Sequence, residues 1–139
     1  MQTWVYPATI TKFAPGDFVV RFPDVPEATT GGETVEESLS LASDALEEAI
    51  LAYLAHGRAV PEPRGARRGE YSVVLDPATA ARVMLIRAMA EQKLSKVALA
   101  ARMKQDEKVV RRILAGKNAS FRLTLAALRA VGVHPALAA

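Results

Sequence analysis

The chain has 139 residues, half of them hydrophobic, with no cysteine and a formal net charge of +3. That length suits one ordinary domain or two small ones. The missing cysteine excludes disulfides and thiolate metal sites, and no run of about 18 residues is free of charge, as a membrane-spanning helix requires. A cytoplasmic location is expected, since Met1-Gln2-Thr3-Trp4 lacks the basic-then-apolar order of a secretory signal.

The modest total hides an asymmetry. Residues 1–60 carry three basic against nine acidic side chains, a net −6; residues 61–75 add +1; residues 76–139 carry twelve basic against four acidic, a net +8. A basic half suits a polyanionic partner and an acidic half repels one. Ordinary surface charge is the plainer alternative, but two modules with different partners explain so large a swing better.

In chain order, Trp4 to Phe13 is dominated by β-branched and aromatic residues and reads as a strand near 4–13. Pro7 puts it at an edge or a strand start. Ala14-Pro15-Gly16-Asp17 is a turn. The next strand, near 18–22, alternates with Phe18, Val20 and Phe22 on one face. Pro23 and Pro26 end it, and a short third strand near 28–30 precedes a Gly31-Gly32 turn.

Thr34 with Glu37 is a capping box that opens a helix near 34–56. Its apolar residues, Val35, Leu39, Ala42, Leu46, Ala49, Ile50, Tyr53 and Leu54, recur at spacings of three and four and form one buried stripe. Glu36, Asp44, Glu47 and Glu48 take the opposite face, and Gly57 ends the helix. Residues 58–69, rich in proline, glycine and charge, read as a loop or linker. Tyr71 to Leu75 reads as a fourth strand beside the hairpin. The expected N-terminal domain is therefore an α+β module over 1–75.

Asp76-Pro77 opens an all-α domain over 76–139, with Asp as a cap and Pro at the first helical position. Helices are expected near 77–92, 95–103, 106–115 and 121–131. Ser95 and Asp106 can cap two of them. Leu99, Ala100 and Met103 give one helix an apolar edge, and Val110, Ile113 and Leu114 give the next its own. Ala100 is small enough for a close helix crossing. The second helix keeps a free face of Glu107, Lys108, Arg111 and Arg112, of the kind that enters a major groove.

This stretch resembles the helix-turn-helix of the phage Cro/repressor (XRE-like) family over roughly residues 78–135, departing from it where Lys104 stands in place of the usual turn glycine. The resemblance implies base contacts from Lys108, Arg111 and Arg112, with Glu107 on the same face and Val109 against a thymine methyl. Lys96, Lys117, Asn118 and Arg122 would hold phosphates. Glu107 and Arg111, four apart, can equally form a surface ion pair.

The N-terminal half carries Tyr6-Pro7-Ala8, Phe22-Pro23-Asp24-Val25-Pro26, Gly32-Glu33-Thr34 with Glu36-Glu37, a long acidic helix, and Val60-Pro61 with Pro63. In this order it resembles the HicB antitoxin family over roughly residues 4–75. That resemblance implies a partial ribonuclease-H-like fold without a nuclease site, binding to a small basic mRNA-cleaving toxin of the HicA kind, repression of its own operon, and a homodimer or homotetramer. Asp24, Glu27, Glu36, Glu37 and Glu48 are the candidate toxin-binding residues, since an acidic surface can occupy the place of RNA phosphates; each can also be part of a solvated face.

Catalysis is not expected. Asp17 and Asp24 lie in turns, the helix acids point away from the core, and no carboxylate cluster stands out for divalent metal. His56 and His134 are far apart, and no cofactor motif is present. The competing function is a one-component transcriptional regulator with a ligand-sensing N-terminal domain, which needs an apolar pocket that an antitoxin does not. A lone reader makes few contacts, so two copies should bind half-sites about 34–36 Å apart. Trp4, Tyr6, the strand edge, Leu125, Leu128 and Leu137 are candidate dimer surfaces.

Overall fold

The computed structural model describes residues 4–115 and 120–134. It is an α+β protein: a small antiparallel sheet with one long helix, followed by a helical region. Two compact units divide the chain, one ending at Asp76 and the other starting at Pro77.

The sheet of the N-terminal unit is built from β1 (Val5–Ala14), β2 (Asp17–Arg21), β3 (Thr29–Gly32) and β4 (Tyr71–Val74), in the order β3-β2-β1-β4. Every neighbouring pair is antiparallel. β1 and β2 form the expected hairpin, with Thr9 opposite Arg21 and Lys12 opposite Phe18. Gly16 supplies the positive φ of +74° that its turn requires. β4 returns beside β1, pairing Val73 with Tyr6. β1 is an internal strand, so of the two expected placements for Pro7 it is the strand start that holds: Pro7 is the third residue of β1, at its pairing with Ser72.

Helix α1 (Val35–Ala55) packs on this sheet. Thr34 caps it, its hydroxyl accepting from the Glu37 amide at 3.0 Å. Tyr6, Ala8, Val20, Phe22 and Val73 from the sheet side, with Ala42, Leu46, Ile50 and Tyr53 from α1, are all buried. Each large one contributes roughly 1.5–3 kcal/mol by leaving water. The expected stripe holds at Ala42, Leu46, Ala49, Ile50 and Tyr53; Ser38 joins it fully buried, while Val35, Leu39 and Leu54 are only half-buried. Burial of Ser38 is tolerated because its hydroxyl donates to Thr34 O at 2.7 Å.

Gly31 and Gly32 correct the expectation of a turn, because both lie within β3. A Cβ on Gly31 would meet the Phe18 carbonyl oxygen at 2.5 Å, and one on Gly32 would meet Ser38 Oγ at 2.8 Å. These glycines permit close approach of β2 and α1, a known use of glycine in strands.

The stretch from Arg58 to Gly69 is not a free linker. Val60 is buried, and the Tyr6 hydroxyl donates to Pro61 O at 2.6 Å. Arg64 donates to Glu70 twice, at 3.0 and 2.7 Å, and its amide donates to Asp24 at 3.2 Å. The segment is a strap held on the N-terminal unit.

The C-terminal unit holds α2 (Pro77–Gln92), α3 (Lys96–Met103), α4 (Glu107–Ala115) and α5 (Phe121–Ala130). Leu85, Leu99, Ala100, Val110, Ile113, Ala127 and Leu128 form one core. Ser95 caps α3 through the Ala98 amide, and Ser120 caps α5 through the Leu123 amide. Gln92 donates to Val131 O at 2.7 Å and ties the ends of α2 and α5. Trp4, Tyr6 and Leu128 are buried within their own units, so these candidate dimer surfaces offer no contact area. Leu125 is half-buried, and Leu137 lies outside the described residues.

Candidate nucleic-acid interface and acidic face

The turn between α3 and α4 forms without glycine. Lys104 adopts the left-handed conformation, φ 54° and ψ 43°. Its amide donates to Ala101 O at 3.2 Å, and the Gln105 amide donates to Ala100 O at 3.0 Å. This is a Schellman closure, which satisfies the last carbonyls of α3. Holding a lysine there costs about 1–2 kcal/mol relative to a right-handed residue. Asp106 starts α4, its carboxylate accepting from the Lys108 amide at 2.8 Å. Leu99 and Ala100 on α3, and Val110 and Ile113 on α4, are buried in the shared core, which fixes the crossing of the two helices.

That burial decides which face of α4 looks outward. Lys108, Arg111 and Arg112 are exposed. Arg111 is paired with Glu107, its Nε and Nη2 donating to the same oxygen, Oε1, at 3.2 and 3.0 Å. Among the described residues, Lys108 and Arg112 make no ion pair. Val109, expected at a thymine methyl, is half-buried and packs against the core. Lys96 is exposed at the start of α3, and Arg122 is exposed at the second position of α5. Lys117 and Asn118 lie outside the described residues.

The acidic candidates fall into two groups. Glu36, Glu37 and Glu48 are exposed on α1. Asp24 and Glu27 are engaged within the unit. Asp24 accepts from the Arg64 amide, with the Arg64 side chain 4.0 Å away. The Tyr53 hydroxyl lies 2.8 and 2.7 Å from the two Glu27 oxygens and donates to them. Arg58 lies 3.8 Å from Glu27 and stacks over the Tyr53 ring at 4.3 Å. The Tyr53 hydrogen bond, aided by a backbone bond and by Arg58, holds the Glu27 carboxyl below its ordinary range. Donation to that carboxylate pushes the Tyr53 hydroxyl up.

Sequence reasoning missed the Tyr53–Glu27–Arg58 and Asp24–Arg64–Glu70 clusters, because each joins residues distant in sequence or lying in an irregular strap. Two prolines and four arginines within residues 58–69 were the available signal. Among the described residues, no group of three or more His, Asp or Glu side chains is placed to hold a metal ion. His56 instead lies 2.8 Å from the Ala52 carbonyl at the end of α1. No helix of the described residues is long and apolar enough to cross a membrane.

With this geometry in hand, comparison with known proteins is decisive for the N-terminal half. The family model described as the HicB_like antitoxin of bacterial toxin-antitoxin systems matches residues 5–84, more than half of the chain. The chain belongs to the HicB-like antitoxin family. Antitoxin HicB 2 of Photorhabdus laumondii is 37% identical over 123 residues, covering 88% of this chain and 87% of that protein. Antitoxin HicB 1 of the same organism is 36% identical, covering 78% of this chain and 68% of that protein. Antitoxin HicB of Escherichia coli K12 is 31% identical, covering 78% of each. The first of these alignments is long enough to extend well into the C-terminal unit.

Proposed function

We propose that this HicB-like antitoxin neutralises a small basic mRNA-cleaving toxin of the HicA kind with its N-terminal unit, and represses its own operon with α3 and α4 acting as a helix-turn-helix. The observation that carries the DNA-reading half is the arrangement of α4. Val110 and Ile113 are locked into the core while Lys108, Arg111 and Arg112 face outward. A short helix braced by a second helix and showing a basic outer face is suited to lie in a major groove. Lys96 and Arg122 are the residues proposed to grip phosphates, which their exposure supports, with Lys117 and Asn118 as further candidates from sequence. Such contacts orient a reader without specifying sequence.

Family membership and the acidic N-terminal half support the toxin-binding half. Glu36, Glu37 and Glu48 are the residues proposed to meet the toxin. Asp24 and Glu27, hydrogen-bonded inside the unit, are further candidates for the same contact. The working form is a homodimer or homotetramer in the cytoplasm, two readers being needed for a palindromic operator. It acts by occupancy, not catalysis, and uses no cofactor.

Co-expression with the neighbouring small open reading frame, followed by affinity capture on this chain, tests the reading. A small basic protein that co-purifies, and whose toxicity this chain relieves, supports it. A chain that shifts its promoter DNA but captures no toxin is a one-component regulator instead.

A further inference from the structure

Glu107 is out of place on a surface meant for DNA. It is a carboxylate in the first turn of a helix whose outer face otherwise carries Lys108, Arg111 and Arg112. Facing a phosphate backbone, it weakens every electrostatic contact that gives non-specific affinity. Its geometry supplies a reason for being there. Arg111 Nε and Nη2 both donate to Glu107 Oε1, at 3.2 and 3.0 Å. A guanidinium has five N–H donors in a rigid fork. The carboxylate takes the Nε–Nη2 side of that fork and leaves three donors on its far end, including both on Nη1. Two donors of that end match O6 and N7 of a guanine in the major groove. Arg111 is 65% exposed and Glu107 35%, so the pair is formed where a groove would meet it.

We infer that Glu107 is the specificity-determining residue of α4: it holds Arg111 side-on so that the free end of the guanidinium reads a guanine, and it penalises docking on phosphates alone. The inference rests on the DNA-reading role proposed above. A plain helix-stabilising i,i+4 pair would add a few tenths of a kcal/mol to folding and would leave sequence discrimination untouched.

The test uses the full chain and two duplexes. One is selected by the wild-type chain from a random library; the other is a scrambled duplex of the same composition. Glu107→Gln keeps the size and removes the charge. It should bind the scrambled duplex more tightly than wild type and the selected one no better, so that the ratio of the two affinities falls about tenfold, within the range of one bidentate base contact. In an Arg111→Gln background the same change should leave the ratio unmoved, since the carboxylate then has no guanidinium to aim. A Glu107→Gln chain that keeps the wild-type ratio, with both affinities rising together, overturns the inference and leaves DNA reading intact. A wild-type chain that selects no sequence at all overturns both.

Discussion

Arg64 and Glu70 meet in a two-bond fork, Nη1 to Oε1 at 3.0 Å and Nη2 to Oε2 at 2.7 Å. The Arg67 amide adds a third bond to Oε1 at 2.7 Å. Arg64 first, and then this amide, pull the Glu70 carboxyl from its ordinary 4.5 down to about 2. A carboxyl held low in the folded state favours folding fully above its unfolded value, and that contribution is lost as pH falls toward the folded one. The fork should therefore help anchor the strap above about pH 4.5 and release it on the way to about pH 2. Glu70→Gln should lower the urea midpoint at about pH 6 and match wild type near about pH 2. A mutant deficit that stays constant across this range would remove the ion pair as its cause.

Two lysines occupy left-handed backbone, Lys93 at φ 51° and Lys104 at φ 54°. Each closes a helix with the same pattern of amide bonds, Leu94 to Met89 O and Gln105 to Ala100 O. Glycine bears no Cβ penalty there but costs unfolded-state entropy. Lys93→Gly should stabilise the C-terminal unit by several tenths to about 1 kcal/mol, the left-handed relief less the entropic term. Lys104→Gly should do the same. Thermal melts followed by circular dichroism measure both. A lowered melting temperature for either would mean that the lysine side chain makes a stabilising contribution beyond its backbone angle.

Gly31 carries the opposite expectation. A methyl group there meets the Phe18 carbonyl oxygen at 2.5 Å, and that oxygen belongs to backbone that pairs with Gly32 in the sheet. Gly31→Ala should destabilise the N-terminal unit by about 1–3 kcal/mol, as overpacking does. Gly16→Ala, in open space but at φ +74°, should cost about 1–2 kcal/mol through the backbone angle alone. Equal folding of Gly31→Ala and wild type in urea titrations would show that β2 and β3 can separate without penalty.

Much of this architecture was written in local patterns. The strand alternation at Phe18 and Val20, the Thr34 cap, the stripe through Leu46 and Ile50, and the paired apolar edges of Leu99 with Val110 each belong to a period or a cap that a few neighbouring residues define. What was not legible depends on contacts distant in sequence. Ser38 replaces Val35 on the buried line because Gly32 leaves room for it. Residues 58–69 look like a linker by composition, yet Arg64 reaches both Asp24 and Glu70. Glu27 reads as one more surface acid until Tyr53, 26 positions on, claims both of its oxygens. The exposed set on α4 was visible in the sequence as a face; its internal pairing was visible only as one of two options.

Arg112 and Lys96 separate two kinds of DNA contact under the proposed function. Arg112 is exposed on the outer face of α4, and Lys96 is exposed at the start of α3. Arg112→Ala should cost about 1–3 kcal/mol on the selected duplex and far less on a scrambled one, as loss of a base contact does. Lys96→Ala should weaken both duplexes alike and shrink the salt slope by about one. Fluorescence anisotropy over a range of salt reads both quantities. If the two variants lose affinity in the same pattern, α4 is not the sequence-reading element.

The acidic face of α1 can be divided further by helix geometry. Glu37 and Glu48 are eleven residues apart, about three full turns, and so stand nearly in line; Glu36 is turned away by about 100°. Leu41, 38% exposed, lies on the same side as that line. A basic toxin docked on one face of α1 therefore meets Glu37 and Glu48 together, and Glu36 only at its rim. Charge reversal at Glu37 or Glu48 should weaken toxin capture more than reversal at Glu36, with the loss concentrated in the association rate at low salt. All three reversals should leave operator affinity unchanged. Glu27→Gln is the contrasting case. It removes the charge that Arg58 faces and weakens the acceptor for Tyr53, so its effect should fall on the stability of the N-terminal unit. Surface-plasmon measurements with the purified toxin, beside urea titrations of each variant, distinguish the two outcomes. Equal losses at Glu36, Glu37 and Glu48 would mean that net charge, not one face of α1, draws the toxin in.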